Sequence, residues 1–258
     1  MRESYYDSYY KAEKDHWWFK VRRELVHFLI NKYSALDVVN SNLEILDVGC
    51  GTGVLTGELE RYGRASGIDF SYKAVEYCKE RGLKNVVQGV GEKLPYNDNQ
   101  FDVVLVLDVL EHIEDDKKAI KELHRVLKPD GILISFVPAF MILWGITDEV
   151  SQHFRRYTKS ELVSKLKESD FKIIRSTYFN TFLFPPILFV RLISRLIPNK
   201  YKPEDETRLG NRFINKVFYY IFKFESILLH KINFPFGVSL AVISKKSSGD
   251  NRLTENGY

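Results

Sequence analysis

Three glycines, Gly49, Gly51 and Gly53, follow an acid, Asp47, in the stretch E-I-L-D-V-G-C-G-T-G at residues 44–53. Ile45, Leu46 and Val48 predict a short buried strand, and the glycines behind it mark a tight turn where a ligand can approach the backbone. A helix expected over residues 53–62 aims its first N–H groups at the same point, the usual ligand position of an open α/β fold. About twenty residues further on, R-A-S-G-I-D (64–69) predicts a second strand whose last residue, Asp69, can accept hydrogen bonds from both hydroxyls of a ribose. A second loaded stretch, D-V-L-E-H-I-E-D (108–115), follows a valine-rich run at 101–107 that suits a central strand. In it His112 has the side chain whose ordinary pKa suits proton removal, given a neighbouring carboxylate to orient it. The plainer alternative is that Glu111 and His112 only begin the next turn. A third stretch, S-Q-H-F-R-R-Y (151–157), sets His153, Arg155 and Arg156 on a loop entering a helix, where an arginine either pairs with an anionic group or is simply solvated.

Glycine loops of this kind serve dinucleotides and other nucleosides alike. The dinucleotide pattern G-x-G-x-x-G requires a third glycine where Val54 stands, and Asp47 lies inside the strand ahead of the loop, so a different ligand is favoured. The segment resembles motif I of the class I S-adenosylmethionine-dependent methyltransferases, and the resemblance runs over residues 43–179. It implies an α/β, Rossmann-like fold: a seven-stranded, mostly parallel sheet with an antiparallel last strand. It implies S-adenosylmethionine as cofactor and S-adenosylhomocysteine as product. The loop residues Asp47, Gly49, Cys50, Gly51 and Gly53 then face the methionine part, Asp69 with Phe70 the ribose and adenine side, and Asp108 the end of the fourth strand. Many members carry an aspartate for the adenine amino group where this chain has Val90, which leaves adenine to backbone groups near Gly91 and Glu92. In the family the N-terminal helices lie over the cofactor, which assigns Trp18 of H-W-W-F to a lid.

The same resemblance makes the methyl acceptor a small molecule, with lipid, quinone and glycan-precursor types as candidates. It makes His112 the base, with Glu111 and His153 beside it. Asp108, Glu111, His112 and His153 also resemble the E-x-x-E-H plus distant histidine arrangement of magnesium-dependent members, with aspartate in place of the first glutamate. A divalent ion there ranks below His112 as a simple base, and no metal is assigned. Two readings from other classes stand beside this one: an S-adenosylmethionine-binding adaptor without turnover, and a nicotinamide oxidoreductase, which the missing glycine at Val54 disfavours.

The elements that must position these residues follow from periodicity and punctuation. One N-terminal helix is expected over 5–33, and a helix after the N-cap Ser71 is expected to run to residue 81. A third strand is expected at 85–88. A helix over 116–127 is stopped by K-P-D-G (128–131) ahead of a fifth strand at 132–137. Residues 138–150 read as a loop, and T-x-x-E at Thr158 and Glu161 as a capping box that starts a helix over 159–169. Strands six and seven are expected at 171–178 and 237–244, with about fifty residues between them where the fold needs only a short link. The chain therefore divides into an N-terminal helical cap (1–40), a cofactor-binding core (41–180), a hydrophobic helical insertion (181–235), a final core strand (236–246) and a disordered tail (247–258). The insertion holds an apolar segment, 182–197, a charged linker, 199–211, and an amphipathic helix, 213–231. On that helix Ile214, Val217, Phe218, Ile221, Phe224 and Leu228 recur at helical spacing, as in helices that lie in a membrane interface or pack across a dimer.

With 258 residues and 45% hydrophobic content, the chain can bury a sizeable core. A net charge of +4 without a basic stripe gives no footprint for nucleic acid. The two cysteines, Cys50 and Cys78, make no disulfide framework, and the charged, tyrosine-rich start is no signal peptide. A cytoplasmic setting is expected, with peripheral contact at the inner membrane face, because no apolar run reaches the length of a span.

Overall fold

The computed structural model describes residues 3–34, 42–194 and 212–247. The expected tail and charged linker lie almost wholly outside these residues. Seven strands, β1 (Leu43–Val48), β2 (Gly63–Asp69), β3 (Val86–Gln88), β4 (Phe101–Leu107), β5 (Leu127–Pro138), β6 (Phe171–Phe179) and β7 (Ser239–Lys246), form one sheet in the order β3-β2-β1-β4-β5-β7-β6. β1, β2, β3, β4 and β5 pair in parallel, and β7 runs antiparallel to both β5 and β6. The strand order reverses between β1 and β4. The crevice that such a reversal forms, at the carboxyl ends of the strands, is where open α/β sheets take their ligands.

Helices cover both faces, as a parallel sheet buried on two sides requires. α2 (Trp17–Tyr33), α3 (Val54–Leu59) and α9 (Arg212–Leu229) pack on one face through Val21, Leu29, Leu55, Leu59, Phe222 and Leu229. α5 (Asp116–Val126) and α7 (Lys159–Glu168) cover the other through Ile120, Leu123, Leu162 and Leu166. α4 (Tyr72–Glu80) sits at the β3 end with a small core of Cys50, Val75, Cys78, Leu83 and Val86. The capping box at Thr158 forms as expected, with Thr158 and Glu161 bonded to each other's backbone N–H.

Several boundaries differ from expectation for local reasons. The N-terminal helix is two helices, α1 (Glu3–Ala12) and α2, because the His16 side chain accepts the Trp18 N–H and caps α2 afresh. Leu127 already pairs with Phe101 before the K-P-D-G excursion, so β5 starts five residues early and carries an irregularity between Phe101 and Val103. The 138–150 stretch is not a plain loop: it holds a 3-10 turn (Met141–Leu143) and α6 (Ile146–Val150). In the insertion, α8 (Phe184–Ser194) admits Pro185 and Pro186 in its first turn, where their missing N–H groups have no intrahelical partner to lose.

The second insertion helix folds back on the cap. Rings of Trp17 and Trp18 lie 6.0 and 5.9 Å from that of Phe222, and Glu24 takes Lys223 at 2.5 Å and the Tyr219 hydroxyl at 2.9 Å. The single apolar stripe expected on this helix divides in two. An inner stripe through Phe222, Ser226 and Leu229 is buried, while an outer one, Phe213, Val217, Tyr220, Phe224 and Ile227, is exposed.

Candidate cofactor and acceptor site

The chain leaves the sheet at the crevice after β1, into the 49–53 loop, and after β4, at Asp108. Gly49 (φ 75°) has no room for a side chain, since a Cβ would fall 2.2 Å from Val109 Cγ2. Gly51 (φ 54°) is the opposite case: a Cβ there meets nothing within 4 Å, so open space lies over the loop. Beside that space, buried Asp69 accepts the Gly51 N–H on Oδ2 at 3.0 Å and the Ser71 N–H on Oδ1 at 2.9 Å. Burial raises its pKa against the pull of those two N–H groups. The Tyr6 hydroxyl of α1 also donates to Asp69 Oδ1, at 3.1 Å, and the Glu13 carboxylate takes the Thr52 hydroxyl, so the N-terminal segment closes directly over the loop.

Two expected loop contacts are turned inward. Asp47 is buried and accepts the Thr56 hydroxyl at 2.7 Å, which ties β1 to α3, and burial pushes its pKa up to about 7. The Cys50 side chain is also buried, with its Sγ 3.9 Å from that of Cys78, so only its backbone borders the crevice. Phe70 is exposed, Gly91 has Ile113 Cδ1 2.8 Å from where a Cβ would stand, and Glu92 is half-buried at the turn bridged by Val90 and Lys93. Both tryptophans pack toward α9. Trp18, expected as a lid, reaches the crevice only through Arg22, whose guanidinium lies 4.9 Å from its ring.

At the β4 end of the crevice, Asp108 adopts φ 55° and binds Arg22 Nη2 at 2.5 Å. Arg22 Nη1 is buried without a hydrogen-bond partner among the described residues. A 3-10 turn (Leu110–His112) follows and directs Glu111 inward, fully buried, with neither oxygen hydrogen-bonded among the described residues. Burial and the nearby Asp108 hold the Glu111 carboxyl well above the usual carboxylate range. The Phe154 N–H donates to the Glu111 carbonyl at 2.8 Å, which docks the 151–157 loop against this turn. The rings of His112 and His153 thereby meet edge to face, 4.5 Å between centroids.

The two histidines, of which His112 is expected to be the base, differ in their surroundings. Burial, and then the charge His153 would carry, push His112 down to about 3, so it is a neutral imidazole with little basicity. The histidine oriented by a carboxylate is His153, whose Nδ1 lies 2.9 Å from Asp148 Oδ1. Asp148 is fully buried. Burial raises its pKa, but the His153 bond, the Arg156 guanidinium and the Gly145 N–H outweigh that and bring it to about 2. Neither loop arginine waits for an anionic ligand. Arg156 binds both Asp148 oxygens, at 2.8 and 3.0 Å, and Arg155 binds Asp116 at 3.0 Å. Tyr6, Arg22 and Asp148 carried no sequence signal, since each reaches the crevice from a segment far from the glycine loop.

This strand order, with a glycine loop after β1 and an acid ending β2, defines the class I methyltransferase fold. Residues 46–135 match the family model described as a methyltransferase domain, and the fold and the glycine loop are of the class I type. The chain is 34% identical over 139 residues to an uncharacterized protein of Methanocaldococcus jannaschii, across 51% of this chain and 66% of that one. It is 39% identical over 104 residues to the demethylmenaquinone methyltransferase of Staphylococcus aureus, across 37% of this chain and 43% of that one. The chain thus spans less than two thirds of either relative's length. Among solved structures, the cyclase SpnF superposes with a TM-score of 0.57 at 24% identity, over 90% of this chain and 83% of that one. A neighbour named for cyclisation shares the fold alone, so the reaction has to be argued from the site.

Proposed function

We propose that this protein transfers a methyl group from S-adenosylmethionine to a small-molecule acceptor. The observation that carries the reading is the Asp69 carboxylate beside the open space over Gly51, at the point where the strand order reverses. Ribose hydroxyls take Asp69 in place of the Tyr6 hydroxyl, so α1 withdraws when cofactor binds. The 49–53 loop takes the methionine part through its backbone, and adenine rests near Gly91 and Glu92. The sulfonium is already activated, so the protein's part is to hold the acceptor in line with the methyl group and to deal with the acceptor's proton. That proton faces the Glu111, His112 and His153 cluster. His112 is too weak a base to act alone there. Release of S-adenosylhomocysteine in an acceptor screen tests the reading, whereas cofactor binding without turnover across lipid, quinone and sugar acceptors favours the adaptor.

We further place the acceptor at an anionic membrane surface. The outer stripe of α9 is apolar and exposed, with Phe213 at 72% and Phe224 at 57%. α8 adds exposed Phe189, Val190 and Leu192. The two helices carry Arg191, Arg212, Lys216 and Lys223, the last paired with Glu24 of α2, against one acid of their own, Glu225, which is buried, so the charge around this apolar surface is basic and complements anionic headgroups. α8 also packs on the 3-10 turn with exposed Met141 and Ile142, at the start of the loop that leads to Asp148 and His153. The S. aureus relative's name, demethylmenaquinone methyltransferase, points to a quinone-type acceptor of this kind.

A further inference from the structure

We infer that Arg22 and Asn180 bind the polar head of the methyl acceptor, and that this head offers a neutral carbonyl or hydroxyl oxygen. Arg22 is buried, and its guanidinium carbon lies 4.9, 5.1 and 5.3 Å from the ring centres of Trp18, Phe136 and Phe179. Asp108 meets Nη2 at 2.5 Å, but Nη1 is buried with no hydrogen-bond partner among the described residues. A guanidinium offers donors only, and an N–H left unmet among apolar rings is costly. The three rings belong to α2, β5 and β6, so a partner for Nη1 enters between α2 and the ends of those strands.

Asn180 supplies a second unmet group at the same end of the sheet. β4 and β5 are parallel, and β7 runs antiparallel to both β5 and β6, so β6 ends where β4 ends. Asn180 follows Phe179 there with φ 60°, and it is buried with neither Oδ1 nor Nδ2 hydrogen-bonded among the described residues. Two such side chains at one end of a sheet call for a ligand, since buried polar groups are almost always paired. Glu225 of α9 accepts the Phe182 N–H at 3.0 Å and so ties this turn to the insertion, which forms the far wall.

Charge decides the kind of oxygen. Asp108 already matches the charge of Arg22, and Glu111, the other acid that feels it, adds no positive charge in either protonation state. A carboxylate or phosphate brought to Nη1 therefore finds no free cation to balance it, and its desolvation goes uncompensated. A carbonyl or hydroxyl oxygen accepts the Nη1 hydrogen without that cost, and Asn180, which both donates and accepts, serves a second neutral group. That the ligand is a methyl acceptor rests on the methyl-transfer reading; that Nη1 takes a neutral oxygen does not.

The test is calorimetric titration of the full-length protein at pH 7, with and without S-adenosylhomocysteine, using 1-naphthol and 1-naphthoate as probes. The two share an aromatic body suited to the ring walls and differ in a neutral hydroxyl against a carboxylate. 1-Naphthol should bind saturably and at least about tenfold more tightly than 1-naphthoate. Arg22→Lys keeps the charge and a donor for Asp108 but loses the planar fork, and should weaken 1-naphthol about tenfold. Asn180→Gly, which tolerates the positive φ, should weaken it about fivefold. Circular dichroism checks each fold, and should Arg22→Lys not fold, Asn180→Gly decides alone. Tighter binding of 1-naphthoate, no saturable binding of 1-naphthol, or binding indifferent to the folded variants overturns the assignment. S-adenosylhomocysteine affinity of the wild-type protein reports separately: its absence counts against the methyl-transfer reading and leaves the comparison of probes standing.

Discussion

Asp47 stands at the heart of the glycine-loop motif, yet its carboxylate serves the fold. Burial lifts its pKa to about 7, while an unfolded aspartate titrates near 3.9. With the folded value above the unfolded one, the associated stability is complete below pH about 4 and is lost as pH rises through about 7. Asp47→Asn keeps an acceptor for Thr56 and never ionises. It should therefore raise the melting temperature at pH 8, by the equivalent of at most about 4 kcal/mol, and change it little near pH 4. Calorimetric scans at the two pH values check this, and a shift of equal size at both would contradict it. Asp69 and Glu111 were legible because each ends an apolar run at a fixed distance from the glycine loop or the fourth strand. The division of labour between His112 and His153 was not, because it depends on burial and on Asp148, which no spacing rule connects to either.

At the scale of elements, the sheet was legible almost strand by strand, since valine-rich runs, caps and glycines agree with one another along the core. The insertion was legible as helical but not in its facing. Its second helix is apolar over a broad arc, so periodicity gave one wide stripe where packing makes two. Phe222 is fully buried between the tryptophans of α2 and Phe179 of β6, while Phe224 is exposed. Phe222→Ala should destabilise the protein by about 3–5 kcal/mol, and Phe224→Ser by no more than about 0.5 kcal/mol. Denaturant unfolding of the pair distinguishes the faces, and equal losses would show the outer stripe to be core as well.

At the scale of the whole molecule, no helix among the described residues is long and apolar enough to cross a membrane. The outer stripe of α9 with its basic flanks should sediment the protein with anionic liposomes, less strongly with neutral ones, and less strongly again in high salt. Phe213→Ser with Phe224→Ser should abolish that binding. A monodisperse dimer with no affinity for liposomes would instead assign the stripe to a second copy.

The proposed reading makes one requirement of the crevice, that β1 and β2 deliver the glycine loop and Asp69 to the same cofactor. Calorimetric titration with S-adenosylmethionine tests that requirement most directly. The wild-type protein should bind one equivalent, and Asp69→Ala, folded as judged by circular dichroism, should lose at least about tenfold in affinity, since it deletes charged hydrogen bonds of roughly 1.5–3 kcal/mol. A folded Asp69→Ala protein with unchanged affinity would contradict the account.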